Sequence, residues 1–417
     1  MRVSHRAVIE VSGRELDDVL EESGVSTPVY VYDADLAVER AREYREAFSW
    51  FPGDVRVCYA MKANFNPHLV EHILDETRAA DVVSLWEMRI AVEAGAEELV
   101  VNGNAKSDDE LRAAVLNAWV INVDSMEELR RVERIARREE RRARVALRVN
   151  PEVDPDTHPH IATAVEGSKF GVSLRDAERV CRAMIESEYV EFLGVHYHIG
   201  SQITDLEPFV EALRSVRRFL EETGLVEELR YLNVGGGLGV PYRMDEDVPR
   251  PRDLARALRE DLKDLHSESP GFDLYLEPGR SIVGEAGVLV TRVRQLKESG
   301  NRRWIFVDAG VNALIRPALY DAYHEVVVHG GDYLETVRAS IAGPLCESGD
   351  VLAEDREVPA DVSEGDLVVF LTAGAYCESM ASNYNCQPLP GAVVVRDGEL
   401  VGVREVQGYD EFRTVWE

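Results

Sequence analysis

Short apolar runs alternate with helix-patterned segments between about residues 54 and 280. Eight of these runs are rich in β-branched residues and predict strands, while apolar positions spaced three and four apart, as in 125–142 and 206–224, predict helices between them. The predicted strands are 55–60, 80–84, 99–102, 120–123, 145–149, 193–198, 231–234 and 274–277. Eight such units favour a (β/α)8 TIM-type barrel over a doubly wound sheet.

After residue 280 the pattern changes to strands separated by turns rich in Gly, Asp and Pro. The runs 287–293, 304–308, 325–328, 367–371 and 392–396 predict an antiparallel β domain, a sandwich or a barrel. The strand-like run 28–32 comes before the first barrel helix, and we expect it to pair with this C-terminal sheet. The sequence therefore predicts a barrel over 36–280 and a β domain formed by 1–35 and 281–417.

The composition is that of an acidic soluble protein. A formal net charge of −30 and an isoelectric point near 4.8 would repel nucleic acid and anionic membrane surfaces. Five lysines stand against forty-two arginines, and this balance favours a high-salt, halophilic-like cytosol over an ordinary acidic protein. No apolar run is long enough for a membrane helix, and the first residues lack the apolar segment of a secretory signal. We expect a cytoplasmic protein that binds neither nucleic acid nor membrane.

Lys62 stands out because it follows the apolar run 55–60, where a solvated lysine has little reason to occur. An unprotonated lysine can condense with an aldehyde, which an always-charged arginine cannot, so Lys62 is a candidate Schiff-base nucleophile. The alternative is a lysine whose stem packs on the core while its ammonium reaches water. Lys62 alone does not separate these two interpretations.

Other unusual residues collect at the carboxyl ends of the predicted strands, where barrel enzymes place their reactive groups. They are Asp81 and Ser84 on strand two, Asn102 on strand three, His198, Gly200 and Ser201 at strand six, Gly235, Gly236 and Gly237 after strand seven, and Glu277, Pro278, Gly279 and Arg280 after strand eight. Unrelated structural residues would not be expected to gather on one rim.

The three consecutive glycines are the expected anion site, because their backbone N–H groups can approach phosphate oxygens with no Cβ in the way. A glycine triplet is more often just a tight turn, but its position after strand seven favours phosphate. It is not a dinucleotide fingerprint, since the third glycine of that motif would fall at Val240.

Two histidines suggest a different class of enzyme. His196 and His198 lie two apart on a strand, so both side chains point to the same face and could ligate a metal. A zinc hydrolase would need further histidines at other strand ends, and the five irregularly spaced cysteines form neither a zinc motif nor a disulfide framework. We therefore expect no metal, a histidine stacked on an aromatic cofactor at His198, and a core histidine at His196.

Together the rim residues predict a pyridoxal phosphate site. Lys62 would bind the aldehyde, the glycines and Ser201 the phosphate, and Glu277 the pyridine nitrogen. A carboxylate at that nitrogen keeps the ring protonated, and the protonated ring is an electron sink for a carbanion. A glutamate at a strand end can equally form a structural salt bridge, and its place among the other rim residues decides for the cofactor.

Six motifs then carry a resemblance: Tyr59-Ala60-Met61-Lys62-Ala63-Asn64, Thr157-His158-Pro159 leading to Lys169-Phe170-Gly171, His196-Tyr197-His198-Ile199-Gly200-Ser201-Gln202, Glu277-Pro278-Gly279-Arg280, Arg316-Pro317-Ala318-Leu319-Tyr320 and Cys346-Glu347-Ser348-Gly349-Asp350. Over nearly its whole length the chain resembles the diaminopimelate decarboxylases, which belong to the alanine-racemase-like, fold type III class of pyridoxal phosphate enzymes. The last two of the six motifs separate this branch from ornithine and arginine decarboxylases.

The resemblance implies a role for each matched residue. Lys62, His198 and Cys346 would be catalytic. The implied cofactor-binding residues are Lys62, Asp81, His198, Ser201, Gly235, Gly236, Gly237, Glu277, Gly279, Arg280 and Tyr376. The implied substrate-binding residues are Arg280, Arg316 and Tyr320 for the distal carboxylate, Glu347 for the distal ammonium, and Tyr376. These assignments agree with the chemistry, since arginine forks suit carboxylates and a glutamate suits an ammonium.

The implied reaction is decarboxylation of meso-2,6-diaminoheptanedioate to L-lysine and carbon dioxide, the final step of lysine biosynthesis through diaminopimelate. The substrate amine would displace Lys62 from its aldimine with the cofactor, and Cys346 would return a proton to Cα. The alternative for Cys346 is a small buried hydrophobe. In the family this cysteine reaches into the partner subunit's site, which implies a homodimer with shared active sites.

The chain also departs from the family pattern. Leu85 and Trp86 replace two glycines after Ser84, Cys377 replaces a glycine after Tyr376, and Gln387 replaces an arginine before a proline. These changes are neutral drift or signs of an altered substrate. The rival hypotheses are a relative acting on another amino acid or on a carrier-bound glutamyl group, and an inactive regulator of the same fold. The intact substrate motifs speak against the first, and the presence of Lys62 and Cys346 against the second.

Overall fold

A computed structural model describes residues 7–153 and 168–415, so the motif Thr157-His158-Pro159 lies outside the described residues. The chain divides into two compact units. The barrel unit comprises Arg40–Val240 and Val248–Ser281, and the β unit comprises residues up to Glu39, Pro241–Asp247 and the chain from Ile282 onwards. The short stretch Pro241–Asp247 falls inside the predicted barrel range but belongs to the β unit.

The barrel unit contains a closed ring of eight parallel strands. They are Val55–Ala60, Ala79–Val82, Glu98–Val101, Val120–Val123, Ala143–Asn150, Val190–His196, Tyr231–Asn233 and Asp273–Leu276. Each strand pairs with the next along the chain, and the last pairs with the first, which closes the ring. The predicted barrel is confirmed, and every predicted barrel strand overlaps an observed one.

Helices cover the outside of the ring. The helix Ala34–Ala47 comes before the first strand, and those that follow successive strands are Pro67–Thr77, Leu85–Glu93, Asp108–Asn117, Met126–Arg138, Leu174–Glu186, Glu207–Thr223 and Pro251–Glu268. Three of them start in the same way, because the hydroxyls of Ser84, Ser107 and Ser125 each accept the backbone N–H three residues further on. These caps fix the end of each strand-to-helix loop on the rim.

The β unit is built around one long strand, Gly287–Ser299. Its first half pairs with Val29–Asp33 and Leu367–Phe370, and its second half pairs with Arg302–Val307. The other strands are Glu10–Val11, Arg14–Glu15, Val326–Val328, Thr336–Ala342, Val351–Pro359, Gly391–Arg396 and Glu399–Arg404, and the helices are Leu16–Ser23, Arg316–Tyr320 and Tyr409–Thr414. The expected pairing of the segment 28–32 with the C-terminal sheet is confirmed.

The β unit is mixed rather than purely antiparallel. Val29–Asp33 runs parallel to Gly391–Arg396, and Arg302–Val307 runs parallel to Thr336–Ala342. Neither pair is joined by a hairpin, so the connection does not force the strands to be antiparallel. Within the described ranges, no helix is both long and apolar enough to cross a membrane.

Candidate active site

The barrel interior changes from apolar to polar at the carboxyl ends of the strands. One buried apolar cluster comprises Cys58, Ala79, Val100, Val120, Ala146, Leu193, Tyr231 and Tyr275. Two positions after six of these residues come the buried polar residues Asp81, Asn102, Asn122, Arg148, Asn233 and Glu277. Alternate residues of a strand face the same side, so these six polar side chains form a layer directly above the apolar one.

A pocket of about 400 Å³ opens on this polar layer. It is lined by Lys62, Val83, Asn102, Gly103, Asn104, Ala105, Lys106, Arg148, Phe170, His196, His198 and Glu277. Three predicted cofactor residues, Lys62, His198 and Glu277, therefore line one pocket. A larger cavity of about 850 Å³ lies at the amino ends of the strands. Its lining arginines include Arg56 and Arg78, which pair with acidic residues, and it contains none of the predicted site residues.

Lys62 lies in a single turn of 3-10 helix, Met61–Ala63, directly after the first strand. Its ammonium forms an ion pair with Asp81, whose carboxylate is fully buried on the second strand. Burial raises the pKa of Asp81, and the positive charge of Lys62 opposes that rise. The interpretation in which Lys62 simply extends to solvent does not fit, because its ammonium is held at the pocket by a buried carboxylate.

Glu277 is held by three donors. The side-chain amides of Asn102 and Asn233 donate to its Oε1 at 2.8 and 2.7 Å, and His196 Nε2 lies 3.1 Å from its Oε2. Burial alone would raise the pKa of Glu277, but His196 and the other donors hold it well below the usual range. Glu277 is therefore an ionised carboxylate at the bottom of the pocket.

The two histidines of the sixth strand take different roles. His196 pairs with Glu277, and its Nδ1 has no hydrogen-bond partner within the described part of the chain. His198 Nδ1 accepts the N–H of Gly236 at 3.1 Å, which fixes the plane of the ring. Burial, followed by the charges of Lys62 and Arg148, lowers the pKa of His198, so this imidazole is neutral. Among residues 7–153 and 168–415, no group of three His, Cys, Asp or Glu side chains has the geometry of a metal site.

The expected phosphate end of the site combines close backbone approaches with a buried cation. A Cβ at Gly236 would lie 2.1 Å from the carbonyl oxygen of Glu277, and one at Gly237 would lie 2.5 Å from that of Gly200. Only glycine permits these approaches. The neighbouring Gly235 donates its N–H to Asn233, and Gly279 packs against Ala60 and Ala63.

Arg280, which is buried, donates from Nη2 to the hydroxyl of Ser201 at 3.0 Å. A guanidinium, a hydroxyl and a glycine-rich backbone are a donor set that suits a phosphate. Lys62, Glu277 and this donor set lie on neighbouring strand ends of the same rim, so the residues present fit pyridoxal phosphate.

The predicted substrate residues Arg316 and Tyr320 lie on one short helix of the β unit. Arg316 is buried and donates from Nε to His324 Nε2 at 3.4 Å, while His324 Nδ1 lies 3.0 Å from the carbonyl oxygen of Leu371. The guanidinium carbon is 5.2 Å from the ring centre of Tyr242 and 5.7 Å from that of Tyr320. Arg316 is thus held in place by aromatic rings and by His324.

Cys346 and Glu347 are exposed on the β unit. The N–H of Cys346 donates to the side chain of Asn385 at 2.9 Å, and Tyr384 hydrogen-bonds to Glu347, which raises the pKa of Tyr384. Exposure rules out the alternative in which Cys346 is a small core hydrophobe. Tyr376 has a φ of 57°, a left-handed conformation that is strained for a tyrosine.

The residues that depart from the family pattern differ in how deeply they are buried. Trp86 is 77% exposed in the first turn of its helix. Cys377 is fully buried and its thiol lies 3.4 Å from the carbonyl oxygen of Ala375, while Gln387 is half-buried. Cys377 is thus a small core residue, and nothing in the structure explains the tryptophan or the glutamine.

Several residues at the pocket and in the polar layer below it are not predicted from the sequence. Lys106 is buried and donates to Gly103 O at 2.5 Å, Asn122 O at 2.8 Å and Glu128 Oε2 at 3.0 Å. Asn122 and Asn233 hydrogen-bond within the polar layer. The sequence does contain a sign of the two asparagines, because each interrupts the apolar run of a predicted strand. A polar side chain in such a position needs a buried hydrogen-bond partner.

Comparison with known proteins defines the class. Residues 35–284 match the family model described as "Pyridoxal-dependent decarboxylase, pyridoxal binding domain". The protein is therefore a member of the pyridoxal-dependent decarboxylases.

Full-length relatives define the branch. The diaminopimelate decarboxylases of Aquifex aeolicus and Archaeoglobus fulgidus are 41% and 40% identical to it, over 96% and 97% of this chain and 93% and 96% of theirs. The solved diaminopimelate decarboxylase of M. jannaschii in co-complex with L-lysine superposes with a TM-score of 0.91 at 36% identity, covering 98% of this chain and 95% of that one. The solved diaminopimelate decarboxylase of Helicobacter pylori complexed with L-lysine superposes with a TM-score of 0.86 at 34% identity, covering 94% of this chain and 97% of that one. The chain belongs to the diaminopimelate decarboxylase family.

Proposed function

We propose that this protein catalyses the pyridoxal phosphate-dependent decarboxylation of meso-2,6-diaminoheptanedioate to L-lysine and carbon dioxide. The observation that carries the proposal is the shared pocket, in which Lys62 and the ionised Glu277 face the same space of about 400 Å³. The full-length similarity to diaminopimelate decarboxylases, two of them solved with L-lysine, supports the choice of substrate.

The barrel residues hold and tune the cofactor. When bound, pyridoxal phosphate supplies an electron sink that stabilises a carbanion at the substrate Cα. Lys62 would be the residue that binds its aldehyde, and Asp81 keeps the lysine Nζ at the pocket. Glu277 would hold a proton on the ring nitrogen, His198 would stack on the ring, and Ser201, Arg280 and the glycines 235–237 and 279 would bind the phosphate.

The β-unit residues recognise the distal end of the substrate. Arg316, with Tyr320 on the same helix, binds the distal carboxylate, because a guanidinium fork matches the two carboxylate oxygens. Glu347 accepts the distal ammonium. Tyr376 contacts both substrate and cofactor. This choice of groups requires a substrate with a charged amino acid moiety at each end, which diaminopimelate has.

Cys346 delivers the proton to Cα, and it does so in the partner subunit of a homodimer. Support comes from its exposure on the β unit, which leaves the thiol available to another chain. Each active site then combines Lys62 of one subunit with Cys346 of the other. A cytoplasmic location, a preference for high salt, the absence of nucleic acid and membrane partners, and the domain boundaries at 36 and 280 stay predictions.

The direct test is turnover of meso-diaminopimelate by the purified protein loaded with pyridoxal phosphate in high salt. We expect carbon dioxide and L-lysine in equal amounts, and loss of both products in Lys62→Ala and Cys346→Ala. A protein that binds the cofactor but releases no carbon dioxide from this substrate would contradict the substrate assignment. L-ornithine, L-arginine and L-glutamate serve as alternative substrates in the same assay.

A further inference from the structure

Asn102 bridges two buried carboxylates of the barrel. Its one amide nitrogen, Nδ2, lies 2.6 Å from Oδ1 of Asp81 and 2.8 Å from Oε1 of Glu277. An amide nitrogen has two protons, so both are used. One carboxylate is the partner of Lys62, and the other is the expected partner of the ring nitrogen.

A closed circuit of hydrogen bonds fixes the orientation of this amide. Asn102 Oδ1 accepts from Asn122 at 2.9 Å, Asn122 Oδ1 accepts from the Tyr231 hydroxyl at 3.3 Å, and that hydroxyl accepts from Asn233 at 2.7 Å. The amide of Asn233 also donates to Glu277 Oε1, which closes the circuit. Flipping any one amide would place two donors or two acceptors face to face.

The circuit delivers two donors to one oxygen of Glu277, Oε1. A protonated Glu277 would lose acceptor strength where Asn102 and Asn233 both donate, so the circuit favours the carboxylate. Because the nitrogen that donates to Glu277 also donates to Asp81, the position of the Lys62 partner depends on the same amide. A change at one end of the pocket is thereby transmitted to the other.

We propose that Asn102 is a positioning residue that couples the lysine end and the ring-nitrogen end of the cofactor site by donating to Asp81 and Glu277 at once. The inference rests on the proposed function only as far as cofactor binding. It requires no particular substrate.

The test uses the protein loaded with pyridoxal phosphate and compares isosteric variants. Asn102→Asp turns both donations into repulsions, whereas Asn233→Asp places a repulsion only on Glu277 and leaves the donation of Asn102 to Asp81 intact. The control Asn117→Asp makes the same charge change on an exposed helix, where the side chain donates to Ala113 O. The readouts are the dissociation constant for pyridoxal phosphate and the pH midpoint of the visible absorption of the bound cofactor.

Several titratable groups other than the two carboxylates face this part of the pocket and influence that midpoint. They are Lys62, Glu87, Arg148, His196, His198 and the hydroxyl of Tyr231. All of them are present in every variant. A difference in the pH midpoint between two variants is therefore caused by the substituted side chain and not by these surrounding groups.

We expect Asn102→Asp to weaken cofactor binding by at least about tenfold and to shift the midpoint by about one pH unit or more. Asn233→Asp should also weaken cofactor binding but shift the pH midpoint less. Asn117→Asp should match the wild type in both the dissociation constant and the midpoint. Equal midpoints in Asn102→Asp and Asn117→Asp would overturn the proposal.

If Asn102→Asp does not fold, Asn102→Ser, which keeps at most one of the two donations, must show the shift, and an unchanged midpoint there overturns the proposal equally. A wild-type protein that binds no pyridoxal phosphate would overturn this inference and the proposed function together. One that binds the cofactor without decarboxylating diaminopimelate would overturn only the substrate assignment.

Discussion

Lys62 and Asp81, at the ends of the first two barrel strands, form an ion pair in which the carboxylate is fully buried and the lysine side chain is 35% exposed. The lysine is thus fixed from below by the barrel and is accessible from the pocket above. A nucleophile needs both properties, since it must be held in place and still reach its target.

Glu87 lies close to this pair and gives a pH-dependent prediction for stability. It is buried and accepts the N–H of Val83 at 2.7 Å, and burial, with a smaller contribution from Asp81, raises its pKa to about 7. The unfolded value is about 4.3, so the folded state binds the proton more tightly. The stabilisation that Glu87 contributes is therefore present at low pH and lost as the pH rises through 7.

We expect Glu87→Gln to be more stable than the wild type by on the order of 3 kcal/mol at pH 8, and by much less at pH 5. Urea unfolding at the two pH values measures the difference. Glu93→Gln, on the exposed end of the same helix, is the control. A stability difference independent of pH would contradict the assigned pKa.

Lys106 is predicted to be structural although it lines the pocket. Replacing it by Met leaves the carboxylate of Glu128 buried without its cation and removes one donor from each of two carbonyl oxygens. Breaking a buried ion pair from one side costs about 3–5 kcal/mol. Urea unfolding of Lys106→Met should show this loss, and the exposed Lys297→Met should not. Equal stabilities would show that the lysine is not needed for the fold.

Shared active sites predict complementation between inactive variants. If each site takes Lys62 from one subunit and Cys346 from the other, mixed dimers of Lys62→Ala and Cys346→Ala contain one intact site and one doubly defective site. Random reassociation then restores about one quarter of the wild-type activity. Activity that stays at zero in the mixture, with dimers present by sedimentation, would place both residues in the same subunit's site.

Arg316 is predicted to act on the substrate and not on the cofactor. Arg316→Lys keeps the charge but loses the planar fork, so we expect KM for diaminopimelate to rise on the order of 10- to 100-fold. The absorption spectrum of the bound cofactor should not change. Arg294→Lys, on an exposed strand position, serves as the control. An altered spectrum with an unchanged KM would assign Arg316 to the cofactor instead.

The strands of the barrel and the residues at their ends were predictable because both depend on local pattern. The run 55–60 predicts a strand, and the residues just beyond it, including Lys62, must then lie on the rim. The β strands Thr336–Ala342 and Val351–Pro359 escaped prediction because charged residues such as Arg338, Glu354 and Asp355 break the apolar alternation on their exposed parts.

The hydrogen-bond circuit could not be predicted, because it depends on the geometry across the barrel. The sequence shows that Asn122 and Asn233 interrupt apolar strands, but it does not show that Tyr231 lies between them. The pairing of Glu277 with His196 escaped for the same reason, since 81 positions separate the two residues. Sequence patterns locate polar residues on a face, and only the closed ring determines their partners.

The central claim is that Lys62 holds pyridoxal phosphate, although a second lysine, the buried Lys106, lines the same pocket. Borohydride reduction of the loaded protein makes the lysine–cofactor link permanent, and peptide mass spectrometry then identifies the modified residue. We predict one pyridoxyl group per chain, on Lys62, with the other four lysines unmodified. Modification of Lys106, or of no lysine at all, would contradict the account.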